Sequence, residues 1–211
     1  PSTRRSRLLV GLTGNLPGRE RHDERSISAL LGPPRFTVPH INLVEDGSVA
    51  QVFVAEADVL MREPFLSRYL DKKTTDAEKR ALEMGHFEKL AALFWWLMYC
   101  KERNLQVIVF CEVIPLLEWI GTNMEVHVMD GKCGEAEREY TVDQFNKGVI
   151  MAMVVSNVGA TGMDIPNATI GINLFSTKSD QLEVQRPGRV SRKKVDVLWQ
   201  GGPHALYMQL L

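Results

Sequence analysis

Residues 185–194, Gln-Arg-Pro-Gly-Arg-Val-Ser-Arg-Lys-Lys, hold five cationic side chains and no acidic one. A guanidinium is always charged and its planar fork matches phosphate oxygens. Arg189 and Arg192, three apart beside Gly188, therefore suit a site where phosphate charge develops. The bland alternative is a solvated basic turn. The order Gln-x-x-Gly-Arg-x-x-Arg, starting at Gln185, is more specific than a basic patch.

A second stretch, residues 156–168, follows the apolar run 150–155. Gly159 and Gly162 let the backbone come close to a bound phosphate or ribose, Thr161 offers a hydroxyl, and Asp164 is an acceptor for a ribose hydroxyl or an arginine. Taken alone it is an ordinary loop between a strand and a helix. Its pairing with the arginine stretch strengthens both readings.

Other chemistries fail on spacing. Gly11, Gly14 and Gly18 do not form Gly-x-Gly-x-x-Gly, and Pro17 interrupts the helix start that a dinucleotide site needs. His22, His40, His86, His127 and His204 show no mutual spacing for a metal or a catalytic triad, and His127 in a predicted strand reads as a packed neutral imidazole. Cys100, Cys111 and Cys133 form no Cys-x-x-Cys pair, so we expect a reducing compartment and no metal site. The pair Trp95-Trp96 reads as core, with one ring available to an interface.

The elements that must position these residues alternate. A short strand is expected at 7–13, a short helix from Asp23 to Leu31, a β-rich stretch at 49–57 and helical periods at 60–70 and 76–84, with 32–48 and 71–85 as connections. Phe87, Leu90, Ala91, Phe94, Leu97 and Met98 recur at helical spacing and predict an amphipathic helix with that face inward. Residues 106–111 form a continuous apolar run, as in strands buried on both faces of a parallel sheet. Helices at 115–122, 135–146 and 181–185 then alternate with strands at 125–129, 150–155, 169–175 and 195–200. The pattern predicts an α/β fold, with a mainly parallel sheet, helices on both faces and ligands bound beyond the carboxyl ends of the strands.

The 211 residues, 45% hydrophobic and 24% charged, exclude disorder and allow a full domain. Lys+Arg 25 against Asp+Glu 26 excludes nucleic-acid binding by bulk charge, so any phosphate-binding surface is local. No apolar run approaches the roughly 20 residues of a membrane span, and we expect a soluble protein without a membrane partner. The chain begins with proline and reads as a piece of a longer one.

The loop and the arginine stretch resemble the fifth and sixth motifs of superfamily 2 helicases. Residues 107–111 are similar to the fourth, Gly131 and Arg138 to the glycine and arginine of the segment after it, and Thr13-Gly14-Asn15 lies where the third is expected. Within that superfamily the register is most similar to the XPB (xeroderma pigmentosum group B) family. It runs from Leu9-Val10-Gly11-Leu12-Thr13 through Arg19-Glu20 to Phe65-Leu66-Ser67-Arg68-Tyr69-Leu70. The likeness covers about residues 7–194 and gives the tail beyond 195 no place. It departs at Gly14-Asn15, Arg21, Ala160 and Pro187, as a divergent member or a degenerate paralogue would.

The resemblance implies a RecA-like three-layer domain at 49–211, preceded at 1–48 by the end of another motor lobe and a short connecting segment. No Gly-x-x-x-x-Gly-Lys-Ser/Thr loop occurs, so ATP and Mg²⁺ would be held mainly by that other RecA-like lobe, and this fragment alone would not hydrolyse ATP. Arg189 and Arg192 would act as arginine fingers, with Gln185 at the lobe interface and Gly162 and Asp164 toward the nucleotide. Thr161, Cys111, Gly131, Arg138, Arg19 and Glu20 would grip DNA. Implied partners are subunits like those of transcription factor TFIIH in a eukaryotic nucleus, acting in transcription initiation and nucleotide excision repair. An archaeal chain would instead have a nuclease partner, and outside eukaryotes the location would be cytoplasmic. The alternative is a non-catalytic module that binds DNA or a partner protein.

Overall fold

The computed structural model describes residues 40–45, 49–156, 165, 167–175 and 205–211. The strand expected at 7–13, the helix after Asp23, the helix at 181–185 and the strand at 195–200 lie outside these residues.

The elements run α1 (His40–Glu45), β1 (Val52–Ala57), α2 (Phe65–Leu70), α3 (Asp76–Gly85), α4 (Phe87–Glu102), β2 (Val107–Phe110), α5 (Ile114–Asn123), β3 (His127–Met129), α6 (Glu135–Asn146), β4 (Ala152–Val155), β5 (Ile170–Asn173) and β6 (Ala205–Leu210). The six strands form one sheet in the order β1-β6-β5-β2-β4-β3, and every described pairing is parallel.

Local chemistry sets the helix boundaries. Thr75 caps α3, its hydroxyl accepting from the Glu78 N–H while the Glu78 carboxylate accepts from the Thr75 N–H, a reciprocal capping box. Pro115 sits in the first turn of α5, where a missing N–H costs nothing. Asn104, at φ 53°, and Gly148, at φ 74°, take the left-handed conformation just past α4 and α6 and turn the chain toward β2 and β4.

The strands alternate their side chains between two cores. Val107 and Val109 of β2, Val154 of β4, Ile170 and Ile172 of β5 and Met208 of β6 face Leu93 and Leu97 of α4 and Leu117 and Ile120 of α5. Ile108, Phe110, Met153, Val155 and Tyr207 point the other way, onto Phe145 of α6. This is the three-layer α/β arrangement expected from the alternation. All four residues of β2 are buried, as its unbroken apolar run requires.

Several expectations are corrected. The face of α4 that the periodicity selected is largely turned out: Phe87 is 69% exposed, Phe94 51% and Met98 41%. Of that face Leu97 is buried and Leu90 packs on the core as expected, but the rest of the buried stripe is Lys89, Leu93 and Cys100. Because the helix is apolar nearly all round, periodicity could not choose between its faces. Residues 71–85 are more than a connection, since α3 delivers Met84 into the main core. The tail, which had no place, supplies β6, an interior strand between β1 and β5. His127 is exposed on the edge strand β3 rather than packed, with Nε2 3.2 Å from the Thr141 hydroxyl. Of the tryptophan pair, Trp96 packs against the core. Trp95 is 57% exposed and stacks on Tyr99 at 5.4 Å. Among the described residues no helix is long and apolar enough to cross a membrane.

Candidate functional site

Parallel strands place their carboxyl ends along one edge of the sheet, and the residues of interest leave from there. Three neighbouring strands, β2, β4 and β3, are tied together just past their ends. The Cys111 N–H donates to the Val155 carbonyl at 3.0 Å, and the Ser156 N–H donates to the Met129 carbonyl at 3.1 Å. Ser156, 5% exposed, is thus the fixed point from which the chain continues toward Thr161, Gly162 and Asp164.

Past β3 the chain makes a tight turn around Asp130, whose buried carboxylate accepts from the Lys132 N–H at 2.8 Å. The first turn of α6 lies against it, and Arg138 Nη2 donates to the Asp130 carbonyl at 3.3 Å. The structure therefore brings together Gly131 and Arg138, which the sequence proposed as companions. Gly131 is exposed and Arg138 half-buried, with its Nε buried and without a hydrogen-bond partner. One edge of the guanidinium is held by the backbone, so the arginine is pre-oriented at the sheet's carboxyl edge.

Cys111 behaves differently from a contact residue. Its thiol is turned inward, 2% exposed, with Sγ 3.6 Å from the Val113 carbonyl. Any contact it makes with a nucleic acid would run through its backbone. Of the other proposed site residues, Arg19, Glu20, Thr161, Gly162, Asp164, Gln185, Arg189 and Arg192 lie outside the described residues.

Two site-edge residues escaped the sequence reading. Asn173, at the end of β5, folds its amide over the next turn, with Nδ2 donating to the Phe175 carbonyl at 2.6 Å. Lys89, 1% exposed, reaches from α4 to the Leu174 carbonyl at 3.3 Å. The signal for Lys89 was present: it stands four residues before Leu93 and eight before Leu97, in the buried row. Burial pushes its ammonium below the ordinary lysine range, opposed by the more distant Glu83. His86, also buried, is shifted down by desolvation, with Glu88 at 3.3 Å pulling the other way.

A parallel sheet packed by helices on both faces, with these turns at its carboxyl edge, defines a three-layer α/β domain. The match to known families narrows this: the chain belongs to the ERCC3/RAD25/XPB C-terminal helicase family, whose sequence model matches residues 43–211. It is 28% identical over 203 residues to the TFIIH basal transcription factor complex helicase/translocase XPB subunit of Trypanosoma brucei brucei, covering 89% of this chain and 21% of that protein. It is 28% identical over 192 residues to the DNA 3'-5' helicase XPB of Mycobacterium tuberculosis, covering 90% of this chain and 34% of that one. A third relative, subunit XPB1 of the general transcription and DNA repair factor IIH of Arabidopsis thaliana, is 29% identical over 92% of this chain and 25% of its own. The chain thus spans between about a fifth and a third of the length of these relatives.

Proposed function

We propose that this chain is the C-terminal motor lobe of an ATP-dependent DNA helicase or double-strand translocase, working against a first RecA-like lobe of the same polypeptide. The observation that carries the reading is the family match over residues 43–211, which runs through the loop after β4 and the arginine stretch as well as the sheet. Residues 1–48 are assigned to the end of the preceding lobe and the connector, and 49–211 to this domain.

In this reading ATP lies between the lobes. Arg189 and Arg192 reach the transferring phosphate as arginine fingers, an effect worth about 10³–10⁵ in turnover in phosphoryl-transfer enzymes. Gln185 braces the interface, and Gly162 and Asp164 face the nucleotide. Mg²⁺, with most of the ATP contacts, is assigned to the other lobe. DNA phosphates are held by Thr161, the backbone at Cys111, Gly131 and Arg138, with Arg19 and Glu20 upstream. Such contacts fix register without reading sequence. The tether of Arg138 to the Asp130 carbonyl supports its part, because a pre-oriented guanidinium loses little freedom on meeting a phosphate.

The trypanosome and plant relatives carry the name of a TFIIH subunit. A TFIIH-like assembly in the nucleus, opening DNA for transcription and excision repair, is the eukaryotic form of the proposal. A nuclease partner and a cytoplasmic location are the prokaryotic form. The test is DNA-stimulated ATP hydrolysis by the intact, upstream-extended chain. Arg189→Ala should lower turnover at least about a thousandfold while ATP still binds. Turnover indifferent to that change, or no turnover in the parent, would leave the DNA- or partner-binding module as the better account.

A further inference from the structure

The turn between β3 and α6 carries a second cation besides Arg138. Residues 130–138 read Asp-Gly-Lys-Cys-Gly-Glu-Ala-Glu-Arg, with Asp130, Glu135 and Glu137 set against Lys132 and Arg138. Arg138 is tethered to the Asp130 carbonyl at 3.3 Å. On its own it would meet a phosphate from among three carboxylates, and the summed charge would repel an anion. The turn needs its lysine as well.

The backbone of Lys132 is fixed, its N–H donating to the Asp130 carboxylate at 2.8 Å. The side chain leaves the turn toward α5, where Nζ donates to Glu118 Oε1 at 3.0 Å. Both partners are open to solvent, at 77% and 55% exposure. An exposed ion pair is worth so little that another anion can replace it. The frame around it, by contrast, is rigid. α5 lies flush on β3, because a Cβ at Gly121 would collide with Cγ2 of Val128. The Val126 N–H donates to the Gly121 carbonyl at 3.2 Å and closes the connection between the two elements. The backbone of Glu118, one turn before Gly121, is therefore fixed relative to the turn that carries Lys132. Gly131, an exposed peptide with no side chain, stands between a lysine with a replaceable counter-ion and an arginine already oriented.

We propose that Lys132 is a further phosphate-gripping residue of this turn and that Glu118 is its latch. In the free protein the carboxylate holds the ammonium, and a DNA phosphate arriving at Gly131 and Arg138 takes it over. The inference rests on the reading of this turn as a DNA contact, and it adds the lysine and the carboxylate that sets its affinity.

Binding of a fluorescein-labelled DNA duplex to the intact, upstream-extended polypeptide is followed by anisotropy between about 50 and 200 mM salt, where phosphate contacts set the slope of log K against log salt. Lys132→Met should weaken binding and flatten that slope by about one unit, the loss of one phosphate contact. Lys132→Arg should keep the slope. Glu118→Gln should tighten binding by up to about fivefold, the most that an exposed ion pair withholds, with the slope unchanged. In the Lys132→Met background the same Glu118→Gln change should have little effect, because the carboxylate acts through the lysine. Both positions are on the surface, so the melting temperature should hold in every variant.

An unchanged slope in Lys132→Met overturns the proposal. An equal gain from Glu118→Gln with and without the lysine overturns the latch, since that is plain charge repulsion. Arg138→Ala separates these failures from failure of the underlying reading. If it flattens the slope and Lys132→Met does not, the turn holds DNA without the lysine. A parent that binds no duplex, or whose slope ignores both changes, defeats the reading of the turn itself.

Discussion

Burial sorts the three thiols. Cys100 lies in the row of α4 that faces the main core, and desolvation pushes its pKa up to about 12. Cys111 is equally enclosed, whereas Cys133 is half-buried in the turn after β3, with Sγ 3.7 Å from Asp130. The thiolate is the reactive form. In the native protein at pH 8, iodoacetamide should therefore label Cys133 at least about tenfold faster than either of the others, read by peptide mass spectrometry. Equal rates at all three positions would refute the packing described for α4 and β2. The arginine stretch stood out at this scale because its order is distinctive, and it lies outside the described residues. Lys89 was passed over because lysine in a sequence reads as a solvent-facing residue, although its spacing to Leu93 and Leu97 put it on the buried row.

Helices and strands differed in how openly they announced themselves. The residues of β2, Val-Ile-Val-Phe, admit one environment, apolar on both faces, and the structure supplies it from both cores. The segment 135–146 was expected as a helix and is one, α6. Helix α4 was legible as a helix but not in its orientation, since Leu93 and Phe94 are neighbours of similar hydrophobicity and only the sheet decides which is enclosed. A paired substitution tests that decision. Leu93→Ala, at a fully buried position, should destabilise the domain by about 2–5 kcal/mol. Phe94→Gln, on the exposed face, should change it by less than about 0.5 kcal/mol. Urea unfolding midpoints of the two variants give the answer, and a larger loss from Phe94→Gln would reverse the assignment of faces. Strand β6 was missed for a different reason: the partners that define it, β1 and β5, lie far away in sequence.

At the scale of the molecule, the sheet is joined through its last strand. β1 pairs with β6 over six residues from Val52↔Ala205 to Ala57↔Leu210, and β6 in turn pairs with β5. Without β6, β1 loses its one strand partner in the sheet order. Tyr207, Met208 and Leu210 would also be withdrawn from the two cores. Deleting residues 205–211 should therefore abolish cooperative thermal unfolding rather than lower its midpoint by a few degrees, as followed by circular dichroism. A truncated chain that still melts in a single sharp transition would mean that the remaining strands close on themselves.

The same arrangement has a consequence for how the protein is made. A ribosome releases β6 only after nearly the whole domain has followed β1, at about 5–20 residues per second, so the first strand waits roughly seven to thirty seconds for its neighbour. During that interval Phe53 and Val54, which remain more than half exposed even in the finished fold, sit on an unpaired strand with two open edges. The nascent chain is most vulnerable to sticking there, and it is the stretch a chaperone would have most reason to cover.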